Sequence, residues 1–163
     1  MIGGIAVGVW GEPRVTRDVD LKILLGRDDA PRLLDILKSD YTALQSDPVQ
    51  ALTRTGILLV RDQLGTRIDL LLSDTKFDRD VVKRAVPVEL EQGTTVAICR
   101  PEDLIIYKLI STRLRDREDA AGVILRQGKK LDDRYVLNWL KEFEQALDDS
   151  TLVDEFQKLQ RRA

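Results

Sequence analysis

Two aspartates one residue apart, Asp18 and Asp20, open the stretch "DVDLKILL", and a third, Asp69, lies inside "RIDLLL". In a β-strand, side chains at i and i+2 share a face, so Asp18 and Asp20 project together with backbones ~7 Å apart, while Val19 and Leu21 point away. An amphipathic strand with Asp18, Asp20 and Lys22 on its wet face also accounts for this pair. Asp69 demands more, because a carboxylate inside an apolar strand is costly unless something compensates its charge. If the two strands pair with Asp69 on the Asp18 face, three carboxylates converge, and a divalent cation is the simplest neutraliser. Oxygen-only ligands favour a hard ion, Mg²⁺ or Mn²⁺. The competing compensation is an ion pair from Arg67, Arg14 or Arg17.

Magnesium held by strand carboxylates generally serves phosphates, and a phosphate needs a cradle of backbone N–H groups. Gly3 and Gly4, ahead of the apolar "IAVGVWGEP", can let the backbone approach a phosphate and aim helix N–H groups at it. The same pair also reads as a plain turn before a buried helix.

Other chemistries are closed by composition. The 163-residue chain has no histidine and one cysteine, which removes Ser-His-Asp and Cys-His catalysis, histidine-bearing zinc sites and thiolate clusters. Cys99, in the alternating "TVAICR", reads as a buried strand thiol. With 26 basic and 28 acidic residues the formal charge is −2, so no global field draws the chain to nucleic acid or an anionic membrane. Apolar runs fall far short of the roughly 18 residues that span a bilayer, and no secretory leader is visible, so a cytoplasmic location without membrane association is expected. Apolar residues at 43% and charged residues at 33% describe a folded globular protein.

The elements that must position the acids follow from periodicity. A short helix over 3–11 and a strand over 18–25 ending at Gly26 are expected, followed by a helix in "APRLLDILKSDY". A loop containing Asp47 and Pro48 follows. "TGILLVRD" and "TRIDLLLS" then form a hairpin about "QLG", "FDRDVVKRA" a short helix, and "VPVEL" and "TTVAICR" a second hairpin. From Pro101 on, the pattern is helical only: "PEDLIIYKLIST", "RDREDAAGVILRQG" closed by Gly128, "DDRYVLNWLKEFEQAL", and "STLVDEFQKLQ" before the basic tail "RRA". In the third of these, Tyr135 or Val136, Trp139, Leu140, Phe143 and Leu147 share one face, which is expected to be core. The fold class is therefore α+β, a small mixed sheet flanked by helices over residues 1–99, followed by a helical bundle over 100–163.

In their order and spacing, "GG", "RVTRDVDL", "RIDLLL" and "RPEDLIIYKLISTRLRDREDAAGVI" resemble the DNA polymerase β-like nucleotidyltransferase superfamily, over about half of the chain. The last stretch is most similar to the bacterial group related to the abortive-infection toxin AbiEii and to uncharacterised nucleotidyltransferase-like proteins. The resemblance implies a metal-dependent transfer of an NMP from an NTP to a hydroxyl of a macromolecule, tRNA or protein, in a toxin–antitoxin or phage-defence pair. It implies Mg²⁺ or Mn²⁺ at Asp18, Asp20 and Asp69, with Asp69 also helping to activate the attacking hydroxyl. It further implies phosphate contacts from Gly3 and Gly4, a triphosphate contact from Lys108, and a match of Arg113, Asp116 and Asp119 to the family's R-x-x-D-x-x-D stretch. Arg14 and Thr16 also match, with Thr16 expected to orient a phosphate or fix the turn.

Spaced by three, Arg113, Asp116 and Asp119 equally fit a salt-bridge ladder, the role favoured for Asp119. Lys108 equally fits a surface lysine. Members usually carry a helix and strand ahead of the glycine pair, where this sequence has Met1 and Ile2. Either the start is truncated or a sheet strand has been lost, and a lost strand would leave a raw edge inviting a partner strand or a homodimer and would damage the nucleotide pocket. The alternative expectation is a catalytically silent domain that binds a cognate toxin or antitoxin partner or senses nucleotide.

Overall fold

The structure, a computed structural model, describes residues 1–162 and is a mixed α+β protein. Alternation builds its main sheet. Strands β1 (Asp18–Ile23), β2 (Tyr41–Ala43), β3 (Ile57–Asp62) and β4 (Arg67–Leu72) form four neighbours in the order β1-β4-β3-β2. β4 runs parallel to β1 and antiparallel to β3, and β3 runs antiparallel to β2. The inward residues Leu58, Val60, Leu70 and Leu72 are buried with Ala30 and Leu52, and Leu21, Ile23 and Ile68 pack against them. That single apolar face turns the odd-numbered residues of β4 and the even-numbered residues of β1 to the other side.

The apolar face is covered by α2 (Ala30–Leu37) and α3 (Pro48–Thr55), whose Leu33, Leu34, Leu37 and Leu52 reach the same cluster. Helix α3 and strand β2 correct the sequence reading, which carried the preceding helix to Tyr41, left residues 42–54 as loop and began the next strand segment at Thr55. Asp47 caps α3 by accepting from the Gln50 backbone N–H at 2.9 Å, and Pro48 occupies the first turn. Its preset φ and its missing N–H suit that position. The hairpin joining β3 to β4 matches expectation: Asp62 Oδ1 accepts from the N–H groups of Leu64 and Thr66, and Gly65 takes φ +90°.

By contacts the chain divides into two compact units, one of Met1–Ile5 and Val15–Ile98, the other of Ala6–Arg14 and the residues from Cys99 onward. The sequence reading set its boundary at 99/100, with residues 6–14 in the α/β half; by contacts residues 6–14 group with the helices. Helix α1 (Gly3–Trp10) runs through this division. The first unit also holds α4 (Lys76–Arg84) and a separate hairpin of β5 (Val86–Glu91) and β6 (Thr94–Ile98). Thr75 and Asp78 cap α4 reciprocally. On the outer side of β1, Ile2 makes one antiparallel bridge, its N–H donating to the Asp20 carbonyl at 3.0 Å.

In the second unit, α5 (Pro101–Leu109), α6 (Leu114–Gln127), α7 (Asp133–Leu147) and α8 (Leu152–Arg162) bury Leu104, Ile105, Ile106, Leu109, Val123, Ile124, Val136, Leu140 and Phe156. The segment 6–14 is tied to them by polar contacts: Trp10 Nε1 donates to the Cys99 carbonyl and Gln127 Nε2 to the Trp10 carbonyl, each at 2.7 Å. On α7 the expected core face is narrower than its spacing implied. Val136 and Leu140 are buried, Tyr135, Trp139 and Phe143 are half-buried, and Leu147 is 55% exposed. Of the basic tail, Arg161 and Arg162 end α8 exposed, and Ala163 lies outside the described residues. No helix among the described residues is long and apolar enough to cross a membrane.

Candidate functional site

The parallel pairing of β1 with β4 sets Asp18 beside Arg67 and Asp20 beside Asp69. Neighbours in register point to the same face, so Asp18, Asp20, Arg67 and Asp69 share the face opposite the apolar cluster. The arrangement needed to bring three carboxylates onto one surface is present. Lys22, next along β1, extends that face, and its ammonium pairs with Asp78 Oδ1 of α4 at 2.5 Å.

Each acid is held differently. Thr16 Oγ1 donates to Asp18 Oδ1 at 2.8 Å and lies 3.2 Å from the Asp18 carbonyl, so this hydroxyl sets the rotamer of the first carboxylate. Asp20 lies against the start of α1. Gly3 has φ +66°, and a Cβ built there would fall 1.9 Å from Asp20 Oδ2. Only glycine permits this approach of backbone to carboxylate. Gly4, the next residue, is buried. Asp69 is gripped by Arg67, whose Nε and Nη2 donate to Oδ1 and Oδ2 at 2.7 and 2.8 Å. The hydrogen bond and charge of Asp69 raise the Arg67 pKa above its ordinary value, against the opposing effect of desolvation, with Asp18 and Asp20 adding to the rise. Of the three arginines named as possible counter-ions, Arg67 takes that role. Arg14 instead makes a two-armed pair with Asp119 in the second unit, both contacts at 3.1 Å.

Oxygen-only donors at adjacent register positions suit a hard divalent ion. Among the described residues, no three histidine, cysteine, aspartate or glutamate side chains already stand together as a ready ion cluster. The carboxylates are the donor type a hard divalent ion takes and they share a face, but they do not stand grouped around one point, and both Asp69 oxygens are engaged by Arg67. Beside Asp18 lies an open depression of about 480 Å³, lined by Ile5, Thr16, Arg17, Val19 and the hairpin tip Leu64–Thr66. The share of Leu64 and Thr66 in this lining was not legible in the sequence, because it depends on where the β3–β4 turn lands.

Lys108 and Arg113 belong to the second unit. Lys108 is 5% exposed, and its ammonium meets Asp116 Oδ1 at 2.5 Å and Asp119 Oδ2 at 2.8 Å. Arg113 Nε and Ser111 Oγ donate to Asp116 Oδ2 at 2.6 and 2.5 Å. Lys108 and Asp119 therefore serve a buried ionic cluster. Burial pushes the Asp116 carboxyl up, but the hydrogen bonds from Lys108, Ser111 and Arg113 outweigh it and leave the pKa below the usual 3.8. Ser111 was missed by the sequence reading, since its role depends on the turn between α5 and α6. Cys99 is buried, and loss of hydration, with the Asp103 charge adding, pushes its thiol up to about 12.

Fold and face together define an α+β protein with an acid-lined parallel strand pair beside a glycine-opened helix. No protein-family model matches the chain, and no curated protein matches it.

Proposed function

We propose that the chain is a metal-dependent nucleotidyltransferase of the polymerase β-like kind. The observation that carries this reading is the register of β1 on β4, which puts Asp20 beside Asp69 with Asp18 on the same face. Asp18, Asp20 and Asp69 would hold Mg²⁺ or Mn²⁺, which when bound neutralises the triphosphate and polarises the reacting phosphate. Thr16 orients Asp18 for that task, and Gly3 keeps the start of α1 close to Asp20. In the transfer, an acceptor hydroxyl oxygen bonds to the α-phosphorus of an NTP as the bond to pyrophosphate breaks, and the hydroxyl proton passes to the Asp69 carboxylate. The acceptor is a macromolecule, tRNA or protein. The resemblance at the sequence level supports reading this activity as part of a toxin–antitoxin or phage-defence pair.

One observation favours a second reading, a catalytically silent domain of the same kind that binds a protein partner or senses nucleotide. Asp69 is already neutralised by both arms of Arg67.

Calorimetric titration of ATP, GTP, CTP and UTP, with Mg²⁺ and then with EDTA, tests the first reading. Binding that requires Mg²⁺ supports it. Absence of binding for all four nucleotides removes it and directs the search to a protein partner.

A further inference from the structure

Asp69 has a cation of its own. Arg67 precedes it by two residues on β4, so both side chains leave the same face of the strand. The guanidinium meets both carboxylate oxygens, at 2.7 and 2.8 Å. Arg67 is also the cross-strand neighbour of Asp18, so one positive group stands between the first and third acids.

We propose that Arg67 is a resident counter-cation that a divalent ion must displace, and that it thereby sets the metal affinity of the Asp18, Asp20 and Asp69 face. This rests on reading that face as the cation site of a nucleotidyltransferase. A two-armed guanidinium contact engages both oxygens of Asp69 through strong, charge-assisted hydrogen bonds. An ion that takes those oxygens as ligands must break both. The Asp69 side chain is 16% exposed whereas that of Arg67 is 44% exposed, so the arginine has solvent to swing into while the carboxylate stays in place. Three carboxylates against one guanidinium leave the face net negative, and attraction for a divalent ion persists. Without the guanidinium that attraction rises and no hydrogen bonds oppose it. Arg67 thus offsets the repulsion among the acids in the metal-free protein and lowers affinity for the ion.

Titration of MnCl₂ alone, without nucleotide, into the full chain and into Arg67→Gln and Arg67→Lys tests this by calorimetry. Arg67→Gln is expected to bind Mn²⁺ about tenfold more tightly than the parent, or to bind when the parent does not. Arg67→Lys should fall between, because an ammonium cannot reproduce the planar two-armed contact. Equal or weaker binding by Arg67→Gln, with the parent binding, overturns the inference and leaves the cation-site reading intact. Absence of Mn²⁺ binding in the parent and both variants overturns the cation-site reading and the inference with it. If Arg67→Gln loses its cooperative melting transition, Arg67→Lys decides in the same direction.

Discussion

Asp20 and Asp69 are cross-strand partners on the parallel pair β1 and β4, with Asp18 two residues before Asp20 on the same face. Strands are stiff, and their spacing is fixed by backbone hydrogen bonds. The carboxylates are therefore placed by the sheet rather than by mobile loops, as a site that positions an ion on a phosphate requires.

Asp18→Asn together with Asp20→Asn should abolish Mg²⁺-dependent NTP binding. Loss of direct ligands should exceed the roughly 10–100-fold cost of losing an outer partner. Since both side chains lie on the polar face of β1, away from the apolar cluster, the circular dichroism spectrum should stay that of the parent. A double variant that binds nucleotide as well as the parent rules out the proposed site.

Gly3→Ala tests the close approach at the start of α1. The new Cβ has no room beside Asp20 Oδ2, and the backbone is already at φ +66°. A lower melting temperature, equivalent to about 1–3 kcal/mol, and weaker Mn²⁺ binding are expected together. Gly8→Ala is the control, since nothing lies within 4 Å of its Cβ position. In a helix interior it should gain about 0.5–1 kcal/mol.

Lys108→Met should destabilise the protein by about 1–3 kcal/mol, because Asp116 and Asp119 lose the cation they share while Arg113 stays on the first and Arg14 on the second. Denaturant unfolding measures this directly. Nucleotide affinity of whatever folded fraction remains at low temperature separates that structural role from the triphosphate contact expected of Lys108, which would also lower affinity.

Asp116 makes stability depend on pH in a defined direction. Its folded pKa lies below 3.8, so its contribution is present above the ordinary carboxylate range and is lost as pH falls through about 4 and below. The melting temperature of the parent should fall across that window. Asp116→Asn should be less stable at neutral pH and show a shallower decline on acidification.

The Cys99 thiol, pushed up to about 12 by burial, should not react with a disulfide-exchange reagent at pH 8 until the protein is unfolded in denaturant. Rapid reaction of the folded protein would contradict the burial.

What the sequence by itself determined is what depends on neighbours along the chain. The alternation of "DVDLKILL" and "RIDLLL" specified two half-buried strands, and with them the pairing of Asp18 with Asp20 and of Arg67 with Asp69 on single faces. Pro101 and Gly128 likewise marked the start of α5 and the stop of α6. Helix α3 was legible in principle, since Asp47 and Pro48 form a capped first turn. The three residues of β2 carry too short a pattern to stand out.

Only the tertiary structure decided which strand lies beside which. That choice turned two local pairs into one face carrying all three acids, and it assigned Asp69 to Arg67 while giving Arg14 to Asp119. It also drew Lys108 into a cluster with residues eight and eleven positions further on, across a turn. Such partnerships follow from burying the apolar faces of strands and helices against one another. That driving force is non-directional and acts between segments distant in sequence, so local spacing cannot encode the partner.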